Sequence, residues 1–464
     1  MSMNVNESAA AQASLIQTSY QRNTAHGESE YQRIHRDTEA KLAGTATTTP
    51  DNSGAGEEFP FSPMGGHLSE FLALLQGVLD EKGLLDGGSD GDDEIRAYNN
   101  ALIAGGNGND EIHTYNDSVV SGGAGNDSIY TYNDSIISGG AGNDRIDTYA
   151  RAQVDGGDGA DRISTYGQST VSGGGGDDVI STYADSVIWG GDGDDTISGY
   201  DNITVDGGRG DDNIRGYNNI KVDGGYGDDN IRGYDNIQVN GGAGNDTIRG
   251  YDNAQINAGD GDDSINVYDN AVINAGIGND RVYTYSNATI LLGEGDDWAK
   301  AAGANARIDA GDGNDYITAS INAEVFGGTG DDRISAGANS FVDGESGDDL
   351  LFAARNSVVI GGTGDDAIRV GDGSTLLFAR GDGQDTIETW QGRDDSSGFS
   401  VAFGPDITAN DLDISQQGDD LVIAIKGTKD SMTFRKPTDD AIPSLSFEDG
   451  SLLSSTEVAA FMKS

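Results

Sequence analysis

The 464-residue chain contains no cysteine, so no disulfide staples it and no thiolate is available for chemistry. Histidine is nearly as scarce, with His26, His35, His67 and His113 making up the full set of four. No nucleophile elbow, HExxH motif or zinc-type ligand spacing occurs, so no catalytic residue is assigned and the chain is not expected to be an enzyme. No apolar run is long enough to span a bilayer, and no membrane insertion is expected. The N-terminal stretch MSMNVNESAAAQASLIQ lacks a basic segment followed by an apolar one, so it does not read as a cleavable export signal. Basic residues are also short: 27 Lys and Arg face 79 Asp and Glu, a formal net charge of −52. That balance excludes nucleic-acid backbones and anionic membranes as simple electrostatic partners and points to cations instead.

What is abundant is glycine, at 72 residues roughly twice the usual share. The excess is periodic. From Gly105, GGNGNDEIHTYNDSVVS is followed by GGAGNDSIYTYNDSIIS and GGAGNDRIDTYARAQVD, each 17 residues long. The aspartate of this turn recurs at Asp93, Asp110, Asp127, Asp144, Asp161, Asp178, Asp195, Asp212, Asp229, Asp246, Asp263, Asp280 and Asp297. After one extra residue it resumes at Asp315, Asp332, Asp349 and Asp366, and a looser copy ends in Asp385.

Two apolar columns share the register. One contains Ile95, Ile112, Ile129 and Ile146; the other contains Ile103, Val120, Ile137, Val154, Val171 and Ile188 and runs on to Ile290. Residues two before the second column, such as Ser118, Ser135, Ala152 and Ile203, are small or apolar, which is the alternation of a strand with one buried face. Each repeat therefore reads as strand, polar turn, strand, glycine turn. One such unit cannot bury its inner face alone, so the repeats must stack. The fold class is all-β, a parallel β-roll or β-helix solenoid of 17-residue coils over residues 85–390. Residues 1–60 are polar and expected to be disordered. Within 61–84, Leu68, Phe71, Leu72, Leu75 and Leu79 share a helical face suited to an N-terminal cap. Residues 391–464 alternate like ordinary strands and end in STEVAAFMK, giving a C-terminal β cap and a region suited to carry an export signal.

The turn reads G-G-x-G-x-D. Glycines allow positive φ and close backbone approach, and carbonyl and carboxylate oxygens are the hard ligands calcium prefers. Stacking lines up one aspartate per coil, a like-charge row that a divalent ion between successive turns would neutralise. The string GGAGNDSIY at Gly122 resembles the nonapeptide of the repeats-in-toxin (RTX) calcium-binding family. That resemblance implies that the aspartates from Asp93 to Asp385, with turn carbonyls of two successive coils, ligate multiple calcium ions, at most about one per gap. The second turn, TYNDS or GYDNI, has no glycine pair, so one calcium row is expected rather than two. The copies at Leu292, Gly344 and Arg380 each lack a glycine, which sets their sites apart. The stretch GPDITANDLDISQQGDDLVIAIKGTKDSMTF resembles the domain that often follows such repeats in secreted bacterial proteins. It implies one-step (type I) export and an extracellular or cell-surface location.

The leading role is a non-enzymatic surface, matrix or adhesion protein, with a glycan or another cell-surface ligand left open as its partner. An effector delivered to a host, an ice-binding protein and a polysaccharide-active β-solenoid enzyme are the alternatives. The uniform coil leaves no irregular loops for the last, and the mixed column Gln153, Thr170, Val187, Thr204, Lys221 counts against ice. Twelve tyrosines, from Tyr98 to Tyr285, keep the same period. They read either as a stacked ladder stiffening the second turn, with the following Asn or Asp bonded to backbone, or as an exposed stripe for a ligand, with the ladder favoured. His113 reads as a solvent-facing strand residue.

Overall fold

The structure, a computed structural model, describes residues 86–461 except 99–100, 116–117, 133, 150, 184, 391–397 and 438–441. The disordered segment expected at 1–60 and the capping helix expected at 61–84 lie outside the described residues. The chain divides into two compact units, with the break between Ala271 and Val272. Both are built as a parallel β-solenoid.

In the first unit each coil supplies a long strand, such as Ser118–Ala124, and a short strand, such as Ser128–Thr131. Long strands pair in parallel with the long strand one coil on (Val120↔Ile137), and short strands with short strands (Ile129↔Ile146). The register therefore advances by one repeat per coil, as the apolar columns require. Ile112, Ile129, Ile146, Ile163 and Ile180 from one sheet face Ile137, Val154, Val171 and Ile188 from the other, all at 0% exposure. Each such side chain is worth about 1.5–3 kcal/mol when fully buried, so the single-file core is the main driving force for stacking.

The corner leading into the second turn is filled by complementary pairs. Thr114, Thr131, Thr148, Thr165 and Thr182 point into the core and are followed four residues later by Ser118, Ser135, Ala152, Ser169 and Ser186, all buried. From the next coil the pattern inverts. Gly199, Gly216 and Gly233 replace threonine, and Ile203, Ile220 and Ile237 fill the space, so a Cβ on Gly216 would strike Ile220. Total volume is conserved, as close packing demands. The threonine hydroxyls Thr114, Thr131, Thr148, Thr165 and Thr182 Oγ1 are shielded and have no hydrogen-bond partner.

The second turn carries two ladders. Rings from Tyr98 to Tyr268 stack pairwise with centroids 4.7–5.2 Å apart and planes within 9°. Most remain partly exposed, from 38% at Tyr200 to 62% at Tyr98. The ladder and the exposed stripe are thus one feature: faces are spent on neighbours while edges meet solvent. The following asparagines differ from expectation. Asn202, Asn219, Asn236, Asn253 and Asn270 sit at positive φ, and the Asn219, Asn236, Asn253 and Asn270 amides donate to the side-chain oxygen of the asparagine one coil earlier, at 3.1–3.4 Å. The bonding is between coils because a left-handed residue turns its amide along the stack. His113 is half-buried, stacks on Tyr130 and meets Glu111 at 2.8 Å.

The second unit repeats this plan. After an ordinary step from Ile273 to Ile290, the next is one residue longer, pairing Ile290 with Ile308, and the added residue is absorbed in the second turn near Gly303 rather than in the glycine turn. A positive-φ asparagine ladder continues through Asn305, Asn322, Asn339 and Asn356. After Gln384–Trp390, the strand Ser431–Phe434 adds to the short-strand sheet in parallel. It belongs to an antiparallel meander with Leu412–Gln417 and Asp420–Ile425. Ser400–Phe403 and Ser444–Ser446 extend the long-strand sheet, and a short helix, Ser455–Phe461, buries Val458.

Candidate metal centre

The glycine turn joins the long strand of one coil to its short strand. Gly123 and Gly125, at φ 114° and 131°, show why the second and fourth positions favour glycine: both lie in the left-handed region and rest on the backbone of the preceding coil. The first glycine has another reason. A Cβ on Gly122 would collide with Asp127 Oδ2 and with the carbonyl oxygen of Gly139 in the next coil. A carboxylate oxygen and a main-chain oxygen from successive coils therefore converge on this point, and the same convergence recurs at Gly105, Gly139, Gly156, Gly173, Gly190, Gly207 and Gly224.

The sixth-position aspartates are buried, with exposures of 1–2% from Asp110 through Asp385. Each backbone N–H donates to Oδ1 of the aspartate one coil ahead: Asp110 to Asp127 at 2.7 Å, Asp127 to Asp144 at 2.8 Å, and so through Asp246 to Asp263. In the second unit the row runs from Asp280 to Asp366, whose N–H reaches Asp385 at a longer 3.2 Å. The other oxygen is left over. Oδ2 of Asp110, Asp127, Asp144, Asp161, Asp178, Asp195, Asp212, Asp229 and Asp246 is shielded from water and has no hydrogen-bond partner, and the same holds for Asp297, Asp315, Asp332, Asp349 and Asp366. Asp93 differs, because Ser89 donates to its Oδ2 from both N–H and hydroxyl.

From Asp127 to Asp246 and from Asp297 to Asp385 burial raises these carboxyls above the usual aspartate range, opposed by the N–H bond from the preceding aspartate and reinforced by neighbouring carboxylates. Asp178 and Asp229 are pushed to about 8 and Asp144 and Asp212 to about 7. In the second unit Asp297 and Asp349 reach about 8 and Asp385 about 9.

The fifth position carries a second ladder that sequence reasoning missed. There Oδ1 accepts from the coil that follows: Asn126 N–H to Asn109, Asn143 to Asn126, Asp211 to Asp194, Asp228 to Asp211, at 2.7–2.8 Å. The signal was present as the Asn or Asp that precedes the sixth-position aspartate in every copy but those with Ala160 and Gln384.

Two of the irregular copies keep the aspartate in the row. Glu345 takes the second glycine position at φ 67°, yet Asp349 keeps its place, and Asp297 does so beside Leu292. No three acidic or histidine side chains among the described residues converge as a metal cluster. The arrangement is one orphaned carboxylate oxygen per coil beside main-chain oxygens. An all-oxygen, adaptable donor set of this kind fits calcium, whereas zinc would call for nitrogen or sulfur ligands.

No helix among the described residues is long and apolar enough to cross a membrane. No curated protein matches the chain. The RTX calcium-binding nonapeptide repeat matches it in four stretches, residues 114–146, 182–202, 291–321 and 326–355. The glycine turns within those four stretches match the RTX calcium-binding repeat.

Proposed function

We propose that the sixth-position aspartates, Asp93 to Asp385, are the calcium ligands, and that the chain is a secreted, non-enzymatic surface or matrix protein whose solenoid folds when calcium binds. One observation carries the reading: a row of shielded carboxylate oxygens without a protein partner, each close to a main-chain oxygen of the next coil. Left charged, those oxygens oppose stacking; an ion shared by two turns offsets their burial and draws the coils together. Binding only to the stacked form adds stability, about 2.7 kcal/mol per independent site at a hundredfold excess over Kd. Low free calcium would leave the chain extended for export, and the higher calcium outside would fold it. The RTX repeats support export to the cell exterior, and a regular coil face supports a presenting rather than a catalytic role.

The test is far-ultraviolet circular dichroism of metal-free protein titrated with calcium, with magnesium as control. A cooperative gain of β-signal with calcium alone supports the coupling. A signal already complete in chelator refutes it. Secretion assays with either terminus deleted would show which end directs export.

A further inference from the structure

The outer face of the short-strand sheet in the first unit carries a periodic row of opposite sign. Arg215, Arg232 and Arg249 are paired in register on three successive parallel strands. Their guanidiniums therefore leave the sheet at the strand pitch of roughly 4.8 Å. None of the ion pairs among the described residues involves them, although the chain holds 79 acidic residues. Elsewhere the chain does supply partners, as with Arg145–Asp147 and Arg151–Asp134. Arg232 is flanked on both sides by its own kind, and its Nε is shielded without an acceptor. Like charges side by side on a sheet repel, and a shielded donor left unpaired is destabilising. The row is arranged to receive anions from outside, flanked at the neighbouring outward positions by Asn213, Asn230 and Thr247 and by Tyr217, Tyr234 and Tyr251.

The partner must be a rigid polyanion of the same pitch, and the molecule itself presents one. The fifth-position aspartates Asp177, Asp194, Asp211 and Asp228 are exposed. Each is held by the N–H of the coil that follows, at 2.7–3.0 Å, so their spacing is set by the same strand pitch. We propose that the Arg215–Arg232–Arg249 face docks onto the fifth-position aspartate edge of a second copy of this chain. The two surfaces are different, so each copy keeps one free face and one free edge, and association can propagate rather than close. The net negative charge opposes this at long range. At physiological salt, screening over about 8 Å confines the balance to groups at the contact, where charges of opposite sign face each other. The inference rests on the calcium reading to the extent that bound ions neutralise the inner aspartate row.

The experiment is sedimentation velocity of the full chain at saturating calcium, over a range of protein and salt concentrations. One variant is R215Q/R232Q/R249Q. The other is D194N/D211N/D228N, which keeps the ladder because asparagine already serves at this position in Asn126 and Asn143. Wild type should associate with concentration and dissociate with salt, and each variant alone should associate about tenfold more weakly or worse. An equimolar mixture of the two variants should restore a complex that does not grow, because each retains the half the other lost. A wild type that stays monomeric, a variant that associates like wild type, or a mixture that stays monomeric would each overturn the proposal. Circular dichroism of the same samples keeps the readings apart. Wild type that folds with calcium yet stays monomeric overturns the docking alone, whereas β-signal independent of calcium overturns the calcium reading.

Discussion

Acid should replace part of what calcium does. In an unfolded chain aspartate titrates near 3.8, whereas Asp178 and Asp229 in the stack titrate near 8. Their folded values lie above the unfolded one, so between those limits the metal-free stack holds protons that the unfolded chain has released. Stability must then fall as pH rises from about 4 to about 8, and level off beyond. Two such groups give a slope of about 2.7 kcal/mol per pH unit, and allowing half for their shared surroundings and screening leaves about 1.3. Going from about pH 7 to about pH 5 should therefore add roughly 2–3 kcal/mol to the metal-free protein. Circular dichroism of the metal-free full chain at both pH values measures this directly, as a β-signal that rises when the pH falls. A β-signal that is the same at both, or larger at the upper pH, refutes the reasoning. With calcium saturating, the trend should reverse, because protons then compete with the ion for the same oxygens.

Asp229→Asn keeps the Oδ1 acceptor used by Asp212 but removes the charge, so calorimetric titration should show one fewer calcium bound, while the metal-free protein gains stability. Thr165→Val removes a buried hydroxyl that has no partner, and thermal unfolding should show the variant unchanged or stabilised by about 1 kcal/mol. Tyr166→Ala breaks two ring contacts, at 5.2 Å to Tyr149 and 4.7 Å to Tyr183, and should cost about 1–3 kcal/mol, read as faster amide exchange in the adjoining coils.

The solenoid was legible because its signal is redundant. Ile112, Ile129 and Ile146 recur at one spacing, and a single register satisfies every copy at once. The aspartate row was legible for the same reason. What escaped were relations between coils rather than within one. The counter-directed bonding of the fifth position depends on which way Asn126 Oδ1 faces along the stack, and no spacing rule states that. The Asn202 to Asn270 ladder was read as local turn bonding because its left-handed backbone emerges only once coils are stacked. The exchange of Thr182 and Ser186 for Gly199 and Ile203 was visible as two turn sequences, but its meaning needed the knowledge that the two positions touch across the corner.

The two ladders of the glycine turn point in opposite directions, the sixth position receiving from the coil behind and the fifth from the coil ahead. A junction between coils thus contains the same pair of bonds whichever neighbours it joins, except where Ala160 leaves the fifth position without an acceptor. Coil number becomes a free variable: excising one whole 17-residue repeat would unite two surfaces that already know how to meet. The 18-residue step at Ile290 to Ile308 takes its surplus residue in the second turn, and the 19-residue step at Asp366 to Asp385 takes two in the glycine turn, where the bond between the aspartates lengthens to 3.2 Å. Reach, in such a molecule, is adjusted by counting.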